Sequence, residues 1–453
     1  RRGLIYSLNS FYDDGIPSFT DTLHQRQGYT GDANSYGATL SYSEPIGKKY
    51  YLEFQVSRQN YGNQTVKEYY DIGNGGGEIL NDTLSNDFNR GYLYDRGGLN
   101  FTINRRKFNL TAGAALQRST LEGRLEQETP LSLRFTRLLP NLFFDYEFGT
   151  SRNLNIEYQT SVREPSLEQL QPVVDNSDPL NTYTGNPGLR PEYAHNFRTN
   201  YMLFDQFSFT SFFVSADATY TKDRITNAST IDAQFRRNTM PVNVDHDFSL
   251  RSYLSFSTPL RFIKTNIRLT YSNNWNRGIL FVNEDKNNTG RLTNTVNLSF
   301  DNRKKDIVDA RIGVRISHNK TTYSVSEALN QTYLDRRYYA ELRVTPTKKW
   351  TFGSEFDYTI YPAESFGQET KIPIWKASIS RYFLRGNRGQ LRLSAFDILG
   401  KNLGISRTSR LNYVQEQRIR SLGRYVMLSF SYSISGFGNA SEGGFHIEID
   451  EMD

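Results

Sequence analysis

Tyr425-Val426-Met427-Leu428-Ser429-Phe430-Ser431-Tyr432-Ser433-Ile434 decides the class of fold. Val426, Leu428, Phe430, Tyr432 and Ile434 alternate with Met427, Ser429, Ser431 and Ser433, a period of two that suits an extended strand with unlike faces. A row of serines does not fill a dry core, so the strand separates an apolar surrounding from a wet one. The signature recurs upstream. Leu52, Phe54 and Val56 alternate with Glu53, Gln55 and Ser57, and Leu142, Phe144, Tyr146 and Phe148 stand opposite Asn141, Phe143, Asp145 and Glu147. Phe108, Leu110, Ala112, Ala114 and Leu116 repeat the pattern, and no long helical periodicity interrupts it.

Composition points the same way. Aromatic residues make up 14% of the 453 residues, yet the hydrophobic fraction is 37% and the mean hydropathy −0.63. A soluble core of this size is normally richer in aliphatic residues. A transmembrane barrel wall reconciles the figures, because only alternate side chains need be apolar. No apolar run reaches the roughly 20 residues that a spanning helix requires, which excludes helical membrane proteins and not barrels. Cysteine is absent, so no disulfide, thiolate metal site or cysteine nucleophile exists. The net charge of +6 is scattered through turns, which argues against nucleic acid as a partner. The first residue is Arg1 and no signal peptide is visible, so the N-terminus is read as processed or trimmed.

The connections alternate in length. Short basic or Gly/Asn turns occur at Pro45–Lys49, Asn104–Lys107, Gly149–Asn153, Asp205–Gln206, Leu260–Lys264, Asn302–Asp306, Thr347–Lys349 and Arg385–Gly389. Long polar loops are expected at 13–34, 59–91, 120–131, 163–192, 225–241, 277–288, 322–331, 362–370 and 401–420. About 18 strands lie between them, near 4–12, 35–44, 49–59, 92–103, 108–120, 132–148, 153–163, 193–204, 207–224, 242–259, 265–276, 289–301, 307–321, 332–346, 350–361, 371–384, 389–398 and 422–435. Short turns at one end and long loops at the other are the layout of bacterial outer-membrane barrels, with both termini periplasmic and an even strand number. A soluble propeller or solenoid would use shorter strands or a fixed repeat. The expectation is therefore an all-β, antiparallel transmembrane barrel over 1–437. Leu52, Phe54, Leu142, Phe144, Val426, Leu428 and Phe430 are expected to face lipid, and Glu53, Gln55, Asp145 and Glu157 to face inward. Residues 438–453 form an acidic periplasmic tail, read as a solvated end or a docking segment.

Several stretches resemble the barrel region of TonB-dependent outer-membrane transporters, in particular the barrel family common in Bacteroidota. Tyr42-Ser43-Glu44-Pro45-Ile46-Gly47 is similar to its Y-[ST]-E-P-[LI] turn. Arg163-Glu164-Pro165-Ser166-Leu167-Glu168-Gln169-Leu170 resembles R-x-P-S-[LI]-x-x-L. Gly185-Asn186-Pro187-Gly188-Leu189-Arg190-Pro191-Glu192 resembles G-N-P-x-L-x-P-E, the most specific match. Leu393 to Asn402, with Asp397 and Asn402, is similar to the late F-D-[IL]-[LF]-[NG]-x-N strand and turn, and Arg424 to Phe430 resembles the closing strand. The resemblance implies a barrel of 22 strands enclosing an N-terminal plug. About four strands and the plug would then precede this sequence. It also implies energy-coupled transport through a TonB-type partner.

The remaining motifs give no chemistry. Asp71–Glu78 is glycine-rich but lacks the G-K-[ST] end of a phosphate loop and reads as surface loop. In Asp245-His246-Asp247 the His faces away from both Asp residues in a strand, and the five His residues have no zinc spacing. No nucleophile–base pair stands out, no cofactor is implied, and the chain is read as not an enzyme. Arg105–Lys107, Arg303–Lys305 and Lys348-Lys349 fall in periplasmic turns and read as solvated anchors. Arg236-Arg237, Arg407, Arg410, Arg418 and Arg420 fall in outer loops, as solvated charges or as contacts to lipopolysaccharide phosphates or a protein. Asp21-Thr22-Leu23 and Asp82-Thr83-Leu84 resemble a short O-glycosylation acceptor. Trp350 and the strand-end Tyr and Phe residues suit aromatic girdles. Two functions stay open. One is a plugged transporter that captures ligand in loops 59–91, 163–192 and 401–420. The other is a structural or assembly subunit that binds other envelope proteins through its loops or tail. The ligand is not legible.

Overall fold

In the computed structural model, the described residues run from 2 to 433, apart from short stretches at 14–15, 74–75, 83, 126–130, 177, 179, 233–235, 326, 364–368, 403, 410–413 and 419–422. The tail at 438–453 lies outside them. Eighteen long strands make the wall. They are β1 (Arg2–Asp13), β2 (Ile16–Pro45), β3 (Tyr50–Ile72), β4 (Asn86–Asn104), β5 (Phe108–Leu125), β6 (Leu131–Gly149), β7 (Arg152–Arg163), β8 (Glu192–Asp205) and β9 (Thr210–Ile231). Then follow β10 (Arg237–Leu260), β11 (Thr265–Val282), β12 (Asp285–Asn302), β13 (Val308–Tyr323), β14 (Gln331–Thr347), β15 (Trp350–Tyr361), β16 (Thr370–Phe383), β17 (Gly389–Phe396) and β18 (Tyr425–Tyr432). Each of the eighteen expected segments has its strand.

Every wall strand pairs antiparallel with its neighbours in sequence, in one sheet. Among the described residues β1 pairs only with β2 and β18 only with β17, so the sheet does not close on itself. Directly paired residues share a face, and the registers make the two faces continuous across the sheet. One row runs Leu52, Phe101, Ala112, Leu142, Tyr158, Phe197, Ala218, Leu250, Trp275 and Leu292. Another runs Val308, Val344, Phe352, Ile379, Leu393 and Leu428. The opposite face carries Glu53, Asn100, Gly113, Asn141 and Gln159 in one row and Arg311, Glu341, Glu355 and Lys376 in another. The sheet thus has an apolar face and a polar face. Phe54, Phe144, Val426 and Phe430 lie on the first; Gln55, Asp145 and Glu157 lie on the second. All three tryptophans, Trp275, Trp350 and Trp375, are on the apolar face.

The short turns fall where expected. Asp205 closes one of them by accepting from the amide of Phe207 at 3.0 Å and the hydroxyl of Ser208 at 2.5 Å. The long loops differ from expectation. Most of 13–34, 59–72 and 225–241 is strand, because β2, β3, β9 and β10 continue well past the apolar band as paired hairpins. Pairing satisfies their backbone groups without any apolar alternation, so polar sequence there looks like loop while the chain stays extended.

Candidate functional site: the polar face and the segment folded onto it

The polar face carries ion pairs that link neighbouring strands. Arg198 Nε is 2.6 Å from Asp217 Oδ1, Arg311 is 3.5 Å from Glu341, Arg337 is 2.6 Å from Asp357 and Lys376 is 3.6 Å from Glu355. The last three border an open recess of about 510 Å³. A surface of matched, hydrated charges receives polar material and repels hydrocarbon.

At the long-loop end the same face becomes dry. Phe88, Tyr92, Leu121 and Ile225 form a cluster with Leu170 and Leu189, which belong to the connection between β7 and β8. Leu170 and Leu189 are fully buried, worth about 1.5–3 kcal/mol each. The described residues of 164–191 are thus folded back onto the wall. The sequence explains the path. Pro165 is buried, and Ser166 caps the single turn Leu167–Leu170 by a reciprocal pair of bonds with Gln169. The amides of Gly185 and Asn186 then donate to the carbonyls of Gln171 and Gln169 at 3.0 and 2.7 Å. A Cβ on Gly185 would lie 2.3 Å from the Gln171 oxygen and 2.6 Å from the Glu168 oxygen, so only glycine fits.

Side chains stitch the segment to the strands. Asn186 Nδ2 donates to the carbonyl of Pro241, and its Oδ1 accepts from the amide of Gly188. Asn243 accepts from the amide of Arg190 at 2.7 Å and donates to its carbonyl at 2.8 Å. Glu192, almost fully buried, accepts from the amide of Ile225 at 2.8 Å and from Arg224 at 3.1 Å. Lys67–Asp175 at 3.1 Å and Arg90–Glu164 at 3.4 Å reach β3 and β4. Burial, with the Glu168 carboxylate nearby, pushes the Tyr183 hydroxyl up to about 12. Below the dry cluster, Gln117 accepts from Arg96 and donates to Tyr92 and Ser119, closing a buried polar network.

The structure therefore brings together Pro165, Ser166, Asn186, Pro187, Leu189, Pro191 and Glu192 in one folded segment. Glu44 and Pro45 sit apart, at the end of β2 opposite Leu52 and Tyr51, where Glu44 accepts from the Tyr42 hydroxyl. Asp397 and Asn402 sit at the exit of β17, where Asp397 accepts the amides of Lys401 and Asn402 at 3.0 Å each. His246 stacks on Tyr220 on the apolar face. Of the loops expected to take ligand, 163–192 is pinned to the wall, and in 401–420 a separate hairpin pairs 405–409 with 414–418. Sequence reading missed Pro241, Asn243, Arg90 and the Tyr92–Leu121 cluster. Leu167, Leu170 and Leu189, apolar residues within an expected loop, were the available signal.

The model of the outer membrane protein beta-barrel family matches residues 6–308 and 243–432. Among curated proteins, none matches the chain. Among solved structures, the copper transporter OprC aligns with a TM-score of 0.44 at 8% identity, covering 94% of this chain and 75% of its own. The hemophore receptor HasR of Serratia marcescens, solved as a double mutant with its hemophore HasA and heme, gives 0.45 at 14%, covering 91% and 60%. BauA, the ferric preacinetobactin receptor from Acinetobacter baumannii, gives 0.44 at 10%, covering 91% and 72%. The chain spans between 60% and 75% of these three proteins.

Proposed function

Since the chain belongs to the outer membrane protein beta-barrel family, an antiparallel barrel wall in the bacterial outer membrane, we propose that it is the wall of an uptake receptor of the TonB-dependent type. In this reading the apolar face meets lipid through Leu52, Phe54, Leu142, Phe144, Val426, Leu428 and Phe430, and the polar face encloses the lumen. The long hairpins point outward and the short turns face the periplasm. The observation that carries the reading is the recess bordered by Arg311, Glu341, Glu355, Asp357 and Lys376, a charged inner surface fit to hold a polar plug or pass a polar ligand. The motifs around Pro165–Leu170 and Gly185–Glu192 support it by resemblance, and fix the segment that narrows the mouth. The edges of β1 and β18, unpaired among the described residues, carry backbone groups that hydrocarbon would leave unsatisfied. Four further strands would close the wall at 22, around an N-terminal plug.

The test is deletion of the full-length gene, followed by growth and uptake assays across metal chelates, vitamins, glycans and peptides. The expected result is loss of one uptake activity that also requires the TonB-type energy transducer. Unchanged uptake of all of them, with the barrel purifying in fixed stoichiometry with other envelope proteins, would instead make it an assembly subunit.

A further inference from the structure

Four neighbouring strands share a patch of the polar face that holds no carboxylate. It spans 249–257 on β10, 268–276 on β11, 291–299 on β12 and 313–321 on β13, which the registers set side by side. Its polar-face positions carry serine, threonine, asparagine, one tyrosine, one glycine and four arginines. Arg251, Arg268, Arg291 and Arg315 take one strand each, and all are exposed. Their guanidinium groups form no ion pair and no hydrogen bond with a described residue. By contrast, Arg198 on β8 and Arg337 on β14 each hold an aspartate at 2.6 Å. The neutral neighbours are already bonded: Thr293 donates to Asn319, Thr295 and Ser317 share a hydrogen bond, and Asn276 donates to Asn274. The carboxylates at the border are engaged too. Asp217 is held by Arg198, Asp335 accepts from Asn319 at 3.2 Å, Asp301 accepts from Asn266 at 3.2 Å beside Lys305, and Asp247 lies against Gly278.

The register sorts the arginines into two pairs. Arg251 stands opposite Asn274 and Arg291 opposite Asn276, so these two are two strands and one row apart. Arg268 stands opposite Ser299 and Arg315 opposite Asn297, which repeats the spacing nearer the short turns. At about 4.8 Å per strand, the backbones of each pair are roughly 12 Å apart, within converging reach of two arginine side chains. The row between the pairs is Tyr253, Ser272, Thr295 and Ser317, hydroxyls throughout. We propose that this patch binds an anionic solute bearing phosphate or carboxylate groups, with Arg251 and Arg291 as the station nearer the long hairpins and Arg268 and Arg315 as the station nearer the short turns. A guanidinium presents paired donors that match the edge of either group. Four of them without counter-charge leave a positive field that draws anions along the wall. A docked protein surface would need an apolar centre, and Tyr253 alone supplies a large apolar side chain there. The proposal rests on the reading of the polar face as the lumen of an uptake receptor, and names the class of solute.

The test titrates the full-length protein in detergent with tripolyphosphate and with citrate, followed by calorimetry. Wild type should bind at least one of them, and the tighter of the two identifies phosphate or carboxylate as the recognised group. R251Q/R268Q/R291Q/R315Q should bind it at least about a hundredfold more weakly, and R251Q/R291Q and R268Q/R315Q each about tenfold. The two pair variants decide the matter if the quadruple variant does not fold, which heat-modifiable gel migration reports. K222Q/R277Q, which removes exposed cations from the apolar face, should bind as wild type does. No binding of either anion by wild type, as when a plug fills the patch, overturns the proposal. Unchanged binding by the pair variants, or an equal loss in K222Q/R277Q, overturns it too. Fluorophores at Leu298→Cys on the apolar face and Ser272→Cys on the polar face, in vesicles of brominated lipid, separate the two readings. Quenching at Leu298 alone, without anion binding, leaves the lumen standing and sinks only the anion site. Quenching at Ser272 sinks both.

Discussion

The amide of Gly185 lies 3.0 Å from the carbonyl oxygen of Gln171, and that contact leaves no room for a side chain between the two halves of the folded segment. Gly185→Ala must push apart two backbone carbonyls, so a cost of about 1–3 kcal/mol is expected, borne by the segment and not by the wall. Limited proteolysis of the outer-membrane protein should cut faster within 164–191, with heat-modifiable gel migration unchanged. Unaltered cleavage would show that the packing there tolerates a methyl group.

Glu192 holds the return of the segment to β8. Glu192→Ala strands the Ile225 amide and frees Arg224, at a cost of about 2–3 kcal/mol, whereas Glu192→Gln keeps an acceptor and should cost about 1 kcal/mol. The order Ala worse than Gln, read by denaturant unfolding in detergent, is the decisive outcome. Equal losses would mean that charge alone matters.

Depth along the apolar face sets the penalty for a charge. Leu142 lies mid-strand on β6, while Phe430 lies near the short-turn rim, where the amide of Ser433 donates to the carbonyl of Arg388 at 2.8 Å. Leu142→Arg should cost about 2–4 kcal/mol in lipid vesicles, and Phe430→Arg only about 0–1 kcal/mol. Asn141→Arg, on the polar face, should be milder than Leu142→Arg. A reversed order between Leu142 and Asn141 would exchange the two faces.

Docking of the segment should weaken in strong alkali. The Tyr183 hydroxyl, raised to about 12 in the fold, titrates near 10 in an unfolded chain. A raised acid stabilises the fold fully below about pH 10, and that contribution disappears as pH climbs through about 12. A fluorophore at Leu180→Cys, unambiguous because the chain has no other cysteine, reports release. Tyr183→Phe should diminish the pH dependence across this window, and a transition of unchanged size in that variant would assign it to another group.

Strand positions, and which residues share a face, were legible because a wall strand repeats one rule, apolar on one face and polar on the other, over the length of the band. Leu52, Leu142 and Leu428 share a face with their row partners as the alternation implied. The reach of β2, β3, β9 and β10 was not legible, since past the band both faces meet water and the period carries no signal. The motif residues from Pro165 to Glu192 were visible as a pattern. Their packing was not, because it depends on Phe88, Tyr92 and Leu121 from strands far away in sequence.

Arg311, Glu341, Glu355 and Lys376 stand in one row across four strands. Greasy–polar alternation is blind to a slip of two residues, since every side chain would keep its face. Such a slip of β14 against β13 in one direction would set Arg311 opposite Arg343; in the other it would set Asp309 opposite Glu341. A two-residue slip among these four strands would therefore set like charges face to face, a penalty that the greasy alternation alone does not impose.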